Sequence, residues 1–594
     1  MSGTERGHID KAAFGTGGDI AGLRKHPDKA VSVWPWLDAP GRRGSAYGAY
    51  SSSPFRNAPC TAVRSFARPG FQARTSLDRT GAMSAPKEIE LKLTADGPDL
   101  LALRKHPRLK RSSHTKDSLD SVYFDTSDGR LRKAGYVLRL RTTKDGYVQT
   151  AKAGGDGLLE RPEWERPVGG PEPDLRALKQ TPLAEVLGRK SKLSPLFSVS
   201  VERRSYQVEQ GSSRIEVALD EGRITLPGGK RTPEAVSIGE VELELKKGSV
   251  ADLFALAREI GADVPFRLGV RTKPERGFAL VDGEADRVRK AEPVPLSEDM
   301  SAADAFRAVA HACLRHMRLN EDIVLDHRDP GALHQTRVAI RRLRSAFSLF
   351  GDLVADERTE AMRSDLKRLS APLGRARNLD VFLSRTLPAE RSRHPDEGGL
   401  LNLEKHLEAQ RAEAYEAVRA ILSSDEWRRF VLDLVTWVNA GPWLTNGGDK
   451  EARRRDQPAA AFAFKVLEKR RRQVKKRGRD LGSLGVEERH QVRIAAKKLR
   501  YGAEFFAGLY TGKKATKRHK AFLTALEGLQ DALGDLNDIA TGHEILDELA
   551  SAEAGSALFA AGMTAADIET RTRKLVASAA EAHEALLVVR PFWR

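Results

Sequence analysis

Apolar and polar residues alternate along much of the chain between residues 87 and 281. The first alternating run is Glu88-Ile89-Glu90-Leu91-Lys92, in which an extended strand would place the three charged side chains on one face and the two apolar ones on the other. Such runs predict β-strands with one buried face. Further runs of this kind occur at 119–124, 136–143, 146–152, 200–209, 214–219, 222–226 and 238–246.

Turn-forming pairs separate many of these runs and predict a meandering antiparallel sheet. The turn signals are Asp128-Gly129, Asp145-Gly146, Glu221-Gly222 and Pro227-Gly228-Gly229. Runs with helical character near 97–106, 174–188 and 249–261 interrupt the sheet. The pattern therefore predicts an α+β domain over residues 87–281, followed by a charged linker with two prolines at 282–297.

Beyond residue 298 the pattern changes to long helices rich in Ala, Leu, Arg and Glu, and it contains an internal repeat. Residues 333–344 align with residues 489–500 without a gap. A second, shorter repeated motif follows each copy, at 373–380 and at 533–538. The repeat predicts an all-α region of two helical bundles, about 298–445 and 459–594, joined by the polar stretch around 446–458.

The first 82 residues are rich in Gly, Ser, Pro and Arg and show no sustained period, so we expect a disordered segment. Met83 follows and leads directly into the first alternating run. Our hypothesis is that Met83 is the biological start, with a cleaved or regulatory tail as the alternative. An intact mass of native protein that includes residues 1–82 would contradict the hypothesis.

Composition narrows the partners of this 594-residue chain. A formal net charge of +18 and a pI near 9.7 favour a polyanion, which could be nucleic acid, an anionic membrane or condensed phosphate. Low aromatic content and the lack of a base-reading motif argue against a specific nucleic acid. No apolar run is long enough to suggest membrane insertion. With two cysteines, neither a disulfide framework nor a thiolate zinc site is expected, which fits a cytoplasmic location.

Charged residues recur on one face of several predicted strands. They alternate with apolar residues at Arg139 and Arg141, at Glu163 and Glu165, and at Glu240, Glu242, Glu244 and Lys246. One interpretation is an ordinary sheet with a solvated outer face. The other is a closed barrel whose charged faces point inward, where carboxylates bind a divalent cation and cations neutralise a phosphate chain.

The run from Glu88 to Lys92 and the linked motifs after it resemble the CYTH domain of the triphosphate tunnel metalloenzyme family, over about residues 87–281. The resemblance implies an eight-stranded antiparallel tunnel barrel that binds Mg²⁺ or Mn²⁺ and hydrolyses a triphosphate. The implied catalytic residues are Glu88, Glu90 and Lys92. The implied metal ligands are Glu88, Glu90, Glu242 and Glu244, with Glu163 and Glu165 as further candidates. The implied phosphate contacts are Lys92, Arg139, Arg141, Lys152 and Arg204, with Lys273 and Arg276 as further candidates.

Family members differ in substrate, and inorganic triphosphate is our expectation for this chain. Thiamine triphosphate, RNA 5′-triphosphate and the cyclisation of ATP to cyclic AMP are the alternatives within the family. A protein of another class would bind polyphosphate without turnover and associate with polyphosphate granules.

The internal repeat carries two basic stripes with helical spacing. The stripes are His334, Arg337, Arg341 and Arg344, and His490, Arg493, Lys497 and Arg500. A basic stripe is commonly a solvated face, and each histidine could be a hydrogen-bonding group at a helix start. Because like charges on adjacent turns repel by a few tenths of a kcal/mol per pair, two copies with the same spacing indicate a bound polyanion.

This half resembles the CHAD domain, a conserved-histidine α-helical domain, over about residues 298–594. The resemblance implies two pseudosymmetric helical bundles whose basic residues bind inorganic polyphosphate. The implied polyphosphate contacts are the two stripes together with Arg342 and Lys498. The sequence leaves the oligomeric state open.

Overall fold

The computed structural model describes residues 87–153, 160–188, 191–227, 235–550 and 568–594. The disorder expected for residues 1–82 and the start expected at Met83 lie outside the described residues. None of the helices in the described part of the chain combines the length and the apolar character needed to cross a membrane.

Nine antiparallel strands form one sheet. They are β1 (Lys87–Thr94), β2 (His114–Thr126), β3 (Tyr136–Thr143), β4 (Gly146–Ala153), β5 (Glu160–Val168), β6 (Leu193–Gln210), β7 (Ser213–Thr225), β8 (Ala235–Lys247) and β9 (Arg267–Leu268). The order is β5-β4-β3-β2-β6-β7-β8-β1-β9, and β1 also pairs with β5, which closes β1 to β8 into a ring. The sequence predicts eight strands. The ninth, β9, is a two-residue pairing with the end of β1, too short to leave an alternating pattern.

The apolar face of the strands lies outside the ring. Leu91 of β1 and Leu243 of β8 are buried in one cluster with Phe254, which lies on a covering helix. On the other face of the same strands, Glu90 lies opposite Glu244 and Lys92 lies opposite Glu242 in the β1–β8 pairing. Since alternate side chains point to opposite faces, these charged residues face the interior of the ring.

Six short to medium helices accompany the sheet. They are α1 (Gly97–Lys105), α2 (Pro107–Lys110), α3 (Arg130–Lys133), α4 (Leu183–Val186), α5 (Val250–Asp263) and α6 (Lys273–Val281), with a 3₁₀ turn at Ala177–Gln180. The helical run predicted near 174–188 is therefore two short helical segments and not one continuous helix. Pro182 separates the 3₁₀ turn from α4, because proline cannot continue a helix through its interior.

The turn predicted at Glu221-Gly222 is wrong, since β7 runs through both residues. A Cβ on Gly222 would lie 2.1 Å from the Ser200 carbonyl oxygen of the neighbouring strand. The glycine therefore permits close approach of β6 rather than a change of chain direction.

Helix α6 fills one end of the ring. Its Phe278 joins Phe197, Ile224 and Ile238 of the surrounding strands in a buried apolar cluster. A Cβ on Gly277 would lie 2.1 Å from the Phe197 ring, so glycine is needed for this contact. The cluster closes that end of the interior and brings the first turn of α6 against the remaining space.

Twelve helices of the described residues follow. They are α7 (Ala302–His327), α8 (Pro330–Leu349), α9 (Thr359–Leu369), α10 (Ala371–Val381), α11 (Leu387–Arg393), α12 (Gly399–Leu422), α13 (Asp425–Ala440), α14 (Asp449–Asp456), α15 (Ala459–Arg477), α16 (Val486–Phe505), α17 (Lys513–Ala550) and α18 (Ile568–Val588). Short turns add a π-helix at Phe382–Thr386 and 3₁₀ helices at Pro442–Leu444, Leu481–Ser483 and Ala507–Leu509.

The starts of α7 and α15 are joined by reciprocal hydrogen bonds. The backbone N–H of Ala302 donates to the Gln457 carbonyl, and that of Ala459 donates to the Met300 carbonyl, both at 2.9 Å. Helices α8 and α16, which carry the repeated motif, pack against each other. The two copies of the repeat therefore meet at the centre of the helical region.

The helical region also contacts the segment that leads into α6. Arg315 of α7 forms an ion pair with Glu275 at 2.7 Å, and Arg318 donates to the Leu268 carbonyl at 3.0 Å. Glu275 caps the start of α6 through the backbone N–H of Thr272. The first helix of the second domain thus supports the end of the first.

Candidate functional site

A cavity of about 330 Å³ occupies the interior of the ring. Ten of the residues proposed from the sequence line it, and they are Glu90, Lys92, Arg139, Arg141, Lys152, Glu163, Glu165, Glu242, Glu244 and Lys273. Strands from all sides of the ring contribute to this set. The structure therefore brings together residues that are up to 183 positions apart, from Glu90 to Lys273, in one enclosed space.

An acidic cluster lies on the β7–β8 side of the cavity. One carboxylate oxygen from each of Asp220, Glu240 and Glu242 lies within 4.8 Å of the others. The Lys273 ammonium, from the first turn of α6, contacts all three at 2.8, 2.5 and 2.9 Å. Burial alone would lower the pKa of Lys273, but the charges of Glu240, Glu242 and Asp220 outweigh it and hold this pKa well above its usual range.

Glu242 is the most connected carboxylate in the cavity. It accepts from Lys92 at 2.8 Å and from Lys273 at 2.9 Å, and it also forms an ion pair with Arg203. Burial raises the pKa of a carboxyl group, yet these cations hold the pKa of Glu242 well below its usual range. Glu242 is therefore ionised and joins three strands and α6.

Glu90 shares this space with Glu242 and has the opposite pKa shift. Burial, and then the charge of Glu242, raise the pKa of Glu90 even though Lys92 lies 2.6 Å away. Two carboxylates that compete for neutralisation in a buried site suit a hard divalent cation, for which carboxylate oxygens are the preferred ligands.

Cations dominate the β3–β4 side of the cavity. Arg139 pairs with Glu163 at 3.5 Å and with Glu165 at 3.4 Å, and Lys152 pairs with Glu163. Arg141 forms no ion pair with any described residue, and its one hydrogen bond goes to Ser121 at 3.4 Å. Burial and the charges of Arg139 and Arg203 lower the pKa of Arg141 to about 10. This half-buried arginine is available to an anion.

Three proposed residues lie elsewhere or are incompletely described. Arg204 points away from the cavity and pairs with Glu202 at 3.0 Å. Arg276 pairs with Glu240 at 3.0 Å from outside the cavity lining. The backbone of Glu88 pairs with Arg161 in the β1–β5 ladder, and the Glu88 side chain lies outside what the structure describes.

The neighbour of Arg204 lines the cavity in its place. Arg203 makes a bidentate contact with Asp220, at 2.7 Å for both hydrogen bonds, and also contacts Glu242. The difference follows from strand parity, since adjacent residues of β6 face opposite sides. The sequence analysis did not select Arg203, Asp220 or Glu240 as site residues.

The adjacent arginines give a matched test of the cavity. For the triphosphatase activity that the CYTH resemblance implies, we expect Arg203→Gln to lower the rate about a hundredfold, because it removes a cation that lines the cavity and supports Glu242. Arg204→Gln should stay within about twofold of the parent protein, because Arg204 does not line the cavity and its ion pair with Glu202 is half-exposed. Steady-state phosphate release by the two variants checks this, and equal losses would contradict the assignment.

A second cavity, of about 630 Å³, lies between the two copies of the repeat. Its basic lining residues are His334, Arg337, Arg341, Arg377, Arg385, Arg493 and Lys497. Asp535 and Asp538 also line it and lie 3.5 and 3.7 Å from Arg385. Five of the proposed polyphosphate contacts therefore converge on one space, and Arg377 and Arg385 join them without having been selected from the sequence.

The charges in this second cavity repel one another. Burial and the charges of Arg493 and Arg341 lower the pKa of Lys497 to about 7. Burial and the neighbouring arginines likewise lower the pKa of His334 to about 4 and that of Arg337 to about 10. Cations held close together in this way favour a bound anion.

The other proposed polyphosphate contacts lie outside this cavity. Arg342 is buried against Glu504, and Arg500 pairs with Glu504 and Glu527, both at 2.9 Å. His490 lines a smaller, mostly apolar cavity beside this basic cavity. The two remaining residues are Arg344, which is exposed, and Lys498, which is half-buried.

Lys497 predicts a pH dependence for anion binding. Below pH 7 the free protein already carries the charge on Lys497, whereas above pH 7 binding must take up a proton. His334 remains neutral across this range, and the arginines remain charged. We expect the affinity of the cavity for a polyanion to fall above pH 7, by at most about tenfold per pH unit for one proton.

Titration calorimetry in buffers of different ionisation enthalpy measures this proton uptake. Lys497→Arg, which stays charged, should flatten the profile. A flat profile in the parent protein would contradict the role given to Lys497.

Comparisons with known proteins identify two families in this chain. Residues 86–267 match the CYTH domain, and residues 308–547 match the CHAD domain. An inorganic triphosphatase of Haemophilus influenzae is 31% identical over 198 residues, which are 33% of this chain and 55% of that protein. The chain thus spans about half the length of this curated relative.

Solved structures include relatives of both regions. The CHAD domain of the plant Ricinus communis is 31% identical and covers 51% of this chain and 97% of its own, with a TM-score of 0.44. An adenylyl cyclase candidate from Hippeastrum, described as having a dominant triphosphatase activity, is 14% identical and covers 32% of this chain and 95% of its own, with a TM-score of 0.25. Both scores are below 0.5, and the family assignment depends on the sequence matches.

Proposed function

Since the chain contains a CYTH domain followed by a CHAD domain, we propose that it hydrolyses inorganic triphosphate in the cavity of the first and binds polyphosphate in the basic cavity of the second. The hydrolysis depends on Mg²⁺ or Mn²⁺. The named triphosphatase relative supports the general activity, and the choice of inorganic triphosphate is ours.

One observation carries the hydrolase proposal. The cavity of the ring combines carboxylates and cations on both its β7–β8 side and its β3–β4 side, and Arg141 among the cations has no carboxylate partner within the described residues. An ordinary sheet with a solvated face would leave these charges in water, because burying an uncompensated charge is costly. A phosphate chain with a divalent cation compensates both sides.

The carboxylates on β1 and β8 are the proposed metal ligands. Glu90 and Glu242 fit this role because they compete for neutralisation in one buried space, and Glu88 and Glu244 lie on the same strands. When bound, a divalent cation polarises phosphoryl oxygens and offsets their negative charge. Glu163 and Glu165 are already paired with Arg139 and Lys152, so they act as positioning residues in this proposal.

The protein's own side chains supply the rest of the chemistry. Arg139, Arg141, Lys152 and Arg203 bind non-bridging oxygens and stabilise the charge that spreads over the transferring phosphoryl group. Glu90, which lines the cavity beside Lys92, also orients the attacking water. Lys92 holds Glu90 and Glu242 in place, at 2.6 and 2.8 Å.

A substrate panel tests this function. Phosphate release is measured from tripolyphosphate, long-chain polyphosphate, ATP and thiamine triphosphate, with cyclic AMP assayed from ATP. Tripolyphosphate is expected to have the highest kcat/KM, and Glu88→Ala is expected to abolish its hydrolysis. Unchanged activity in Glu88→Ala would contradict the mechanism, and a preference for another substrate would reassign the activity.

A binding function without turnover is the second candidate, and the placement of Lys273 favours it. Its ammonium already contacts Asp220, Glu240 and Glu242, and so occupies the place among these carboxylates that a divalent cation would need. Such a protein would bind polyphosphate and associate with polyphosphate granules. Tight binding of tripolyphosphate without phosphate release under any divalent cation would favour it.

A further inference from the structure

The two helices that carry the repeat differ in charge near their C-terminal ends. Helices α8 and α16 align residue by residue, and both end at the same point of the alignment, at Leu349 and Phe505. In this alignment Glu504 of α16 corresponds to Ser348 of α8. One helix therefore has a carboxylate where the other has a hydroxyl.

The carboxylate neutralises the basic residues around it. Glu504 contacts Arg342 and also Arg500, the latter at 2.9 Å. Arg342 stacks on Phe505, and Cys313 of α7 lies beside Arg342 and Glu504. On this side of the α8–α16 contact, the basic residues have their partners inside the protein.

The equivalent position on the other side has no carboxylate. Lys498 corresponds to Arg342 in the repeat, and Ser348 replaces the glutamate that would neutralise it. Arg470 of α15 donates to the carbonyl oxygen of Ser348 at 2.6 Å and to its hydroxyl at 3.2 Å. Helices α15 and α7 hold equivalent places in the two halves, and Arg470 and Cys313 each lie eleven residues after the first residue of their helix. The side with Lys498 therefore has an additional cation, Arg470, where the side with Arg342 has the Cys313 thiol.

The result is a concentration of positive charge, in which Asp352 is a carboxylate close enough to act on Arg470. Lys498 lies among Arg344, Arg470 and Arg477, and Arg363 is nearby. Within the described residues, Lys498, Arg344, Arg470 and Arg477 form no ion pair, while Arg477 donates to Gln491 at 3.2 Å. Arg344 and Arg477 are exposed, so an anion can reach the group from solvent. None of these residues lines the basic cavity between the repeats.

We propose that Lys498, Arg344, Arg470 and Arg477 form a second anion site, which binds phosphate groups of inorganic polyphosphate separately from the basic cavity. Three guanidinium groups and an ammonium match closely spaced phosphoryl oxygens. No aromatic side chain belongs to the group, so it offers no stacking surface for nucleic acid bases. The inference shares its ligand class with the proposed function of the CHAD domain and is independent of hydrolysis in the tunnel.

Acetylation of individual lysines tests this site in the full-length protein, with EDTA present to prevent turnover. Lys498 reports on the second site, Lys497 on the basic cavity, and the exposed Lys144 serves as a control. At a polyphosphate concentration ten times the Kd, acetylation of Lys498 should slow roughly tenfold, and that of Lys144 should not change. Tandem mass spectrometry separates the adjacent lysines.

Two variants then separate the sites. Ser348→Glu installs the missing carboxylate and should abolish protection of Lys498 while protection of Lys497 remains. Arg341→Gln/Lys497→Gln should remove binding in the basic cavity while Lys498 stays protected. If Ser348→Glu fails to fold, as judged by thermal unfolding, Arg344→Gln/Arg470→Gln takes its place.

Three results would overturn the second site. They are no protection of Lys498 in the parent protein, loss of that protection in the basic-cavity variant, and protection by RNA or DNA but not by polyphosphate at the same salt concentration. Protection of Lys498 without protection of Lys497 would instead count against the proposed cavity and leave the second site supported.

Discussion

Glu242→Gln is expected to lower kcat for tripolyphosphate hydrolysis about a thousandfold. The substitution keeps the size of the side chain but removes the charge that Lys92, Lys273 and Arg203 share. It also removes a proposed metal ligand, so both the affinity for Mg²⁺ and the arrangement of the phosphate-binding cations should suffer. Initial rates at saturating metal and substrate measure the effect.

Glu202→Gln is the matched control for this prediction. Glu202 lies on the outer face of β6, paired with Lys116 at 2.8 Å and with Arg204 at 3.0 Å, and it does not line the cavity. Its kcat should remain within about twofold of the parent value. Thermal unfolding of both variants shows whether a lost rate reflects lost structure. A folded Glu242→Gln protein with near-parental activity would contradict the site.

Arg341→Gln/Lys497→Gln is expected to weaken polyphosphate binding in the basic cavity about a hundredfold at low salt, because two charge-assisted contacts are lost from that cavity. Both residues line the cavity, one from each copy of the repeat. The slope of log K against log salt should also become shallower by roughly 0.7 for each lost contact, as for other flexible polyanions. Fluorescence anisotropy with labelled polyphosphate across a salt series measures both quantities.

Tripolyphosphate hydrolysis provides the internal control for the double variant. The altered residues lie outside the lining of the ring cavity, so kcat/KM for tripolyphosphate should be unchanged. Arg368→Gln, which removes an exposed arginine paired with Asp365 and Glu426, should leave polyphosphate affinity within about twofold. Equal affinity in the double variant and the parent would exclude the basic cavity as the main binding site.

The alternating pattern was sufficient to predict most of the sheet, because burial of one strand face leaves a period of two. It was not sufficient at Gly222, where glycine serves a close approach between strands and the sequence cannot separate this from a turn. It also missed β9, since two residues carry no period. These errors arise from contacts between distant segments, which local patterns do not record.

The site shows the same limit at the level of single residues. Arg203 and Arg204 are adjacent and chemically identical, so the inward residue depends on the register of β6. Glu240 continues the alternation of Glu242 and Glu244 and was within reach of the pattern. Asp220 was not, because its role depends on Lys273, which comes from a helix more than fifty residues later.

The basic cavity between the repeats was predictable in part, because the duplicated motif showed two basic stripes with the same spacing. Arg377 lies in the shorter repeated motif after the first copy, where the sequence analysis noted a repeat but assigned no role. Arg385 lies within the π-helical turn at Phe382–Thr386, which follows α10, and no periodic pattern indicates where such a turn directs a side chain.

Phosphate release from tripolyphosphate by the full-length protein, with and without a divalent cation, tests the central claim most directly. The account predicts multiple turnovers with Mg²⁺ or Mn²⁺, no release in EDTA, and recovery when the metal is restored. Release that is unaffected by EDTA, or no release under any divalent cation by a folded protein that still binds tripolyphosphate, would contradict it.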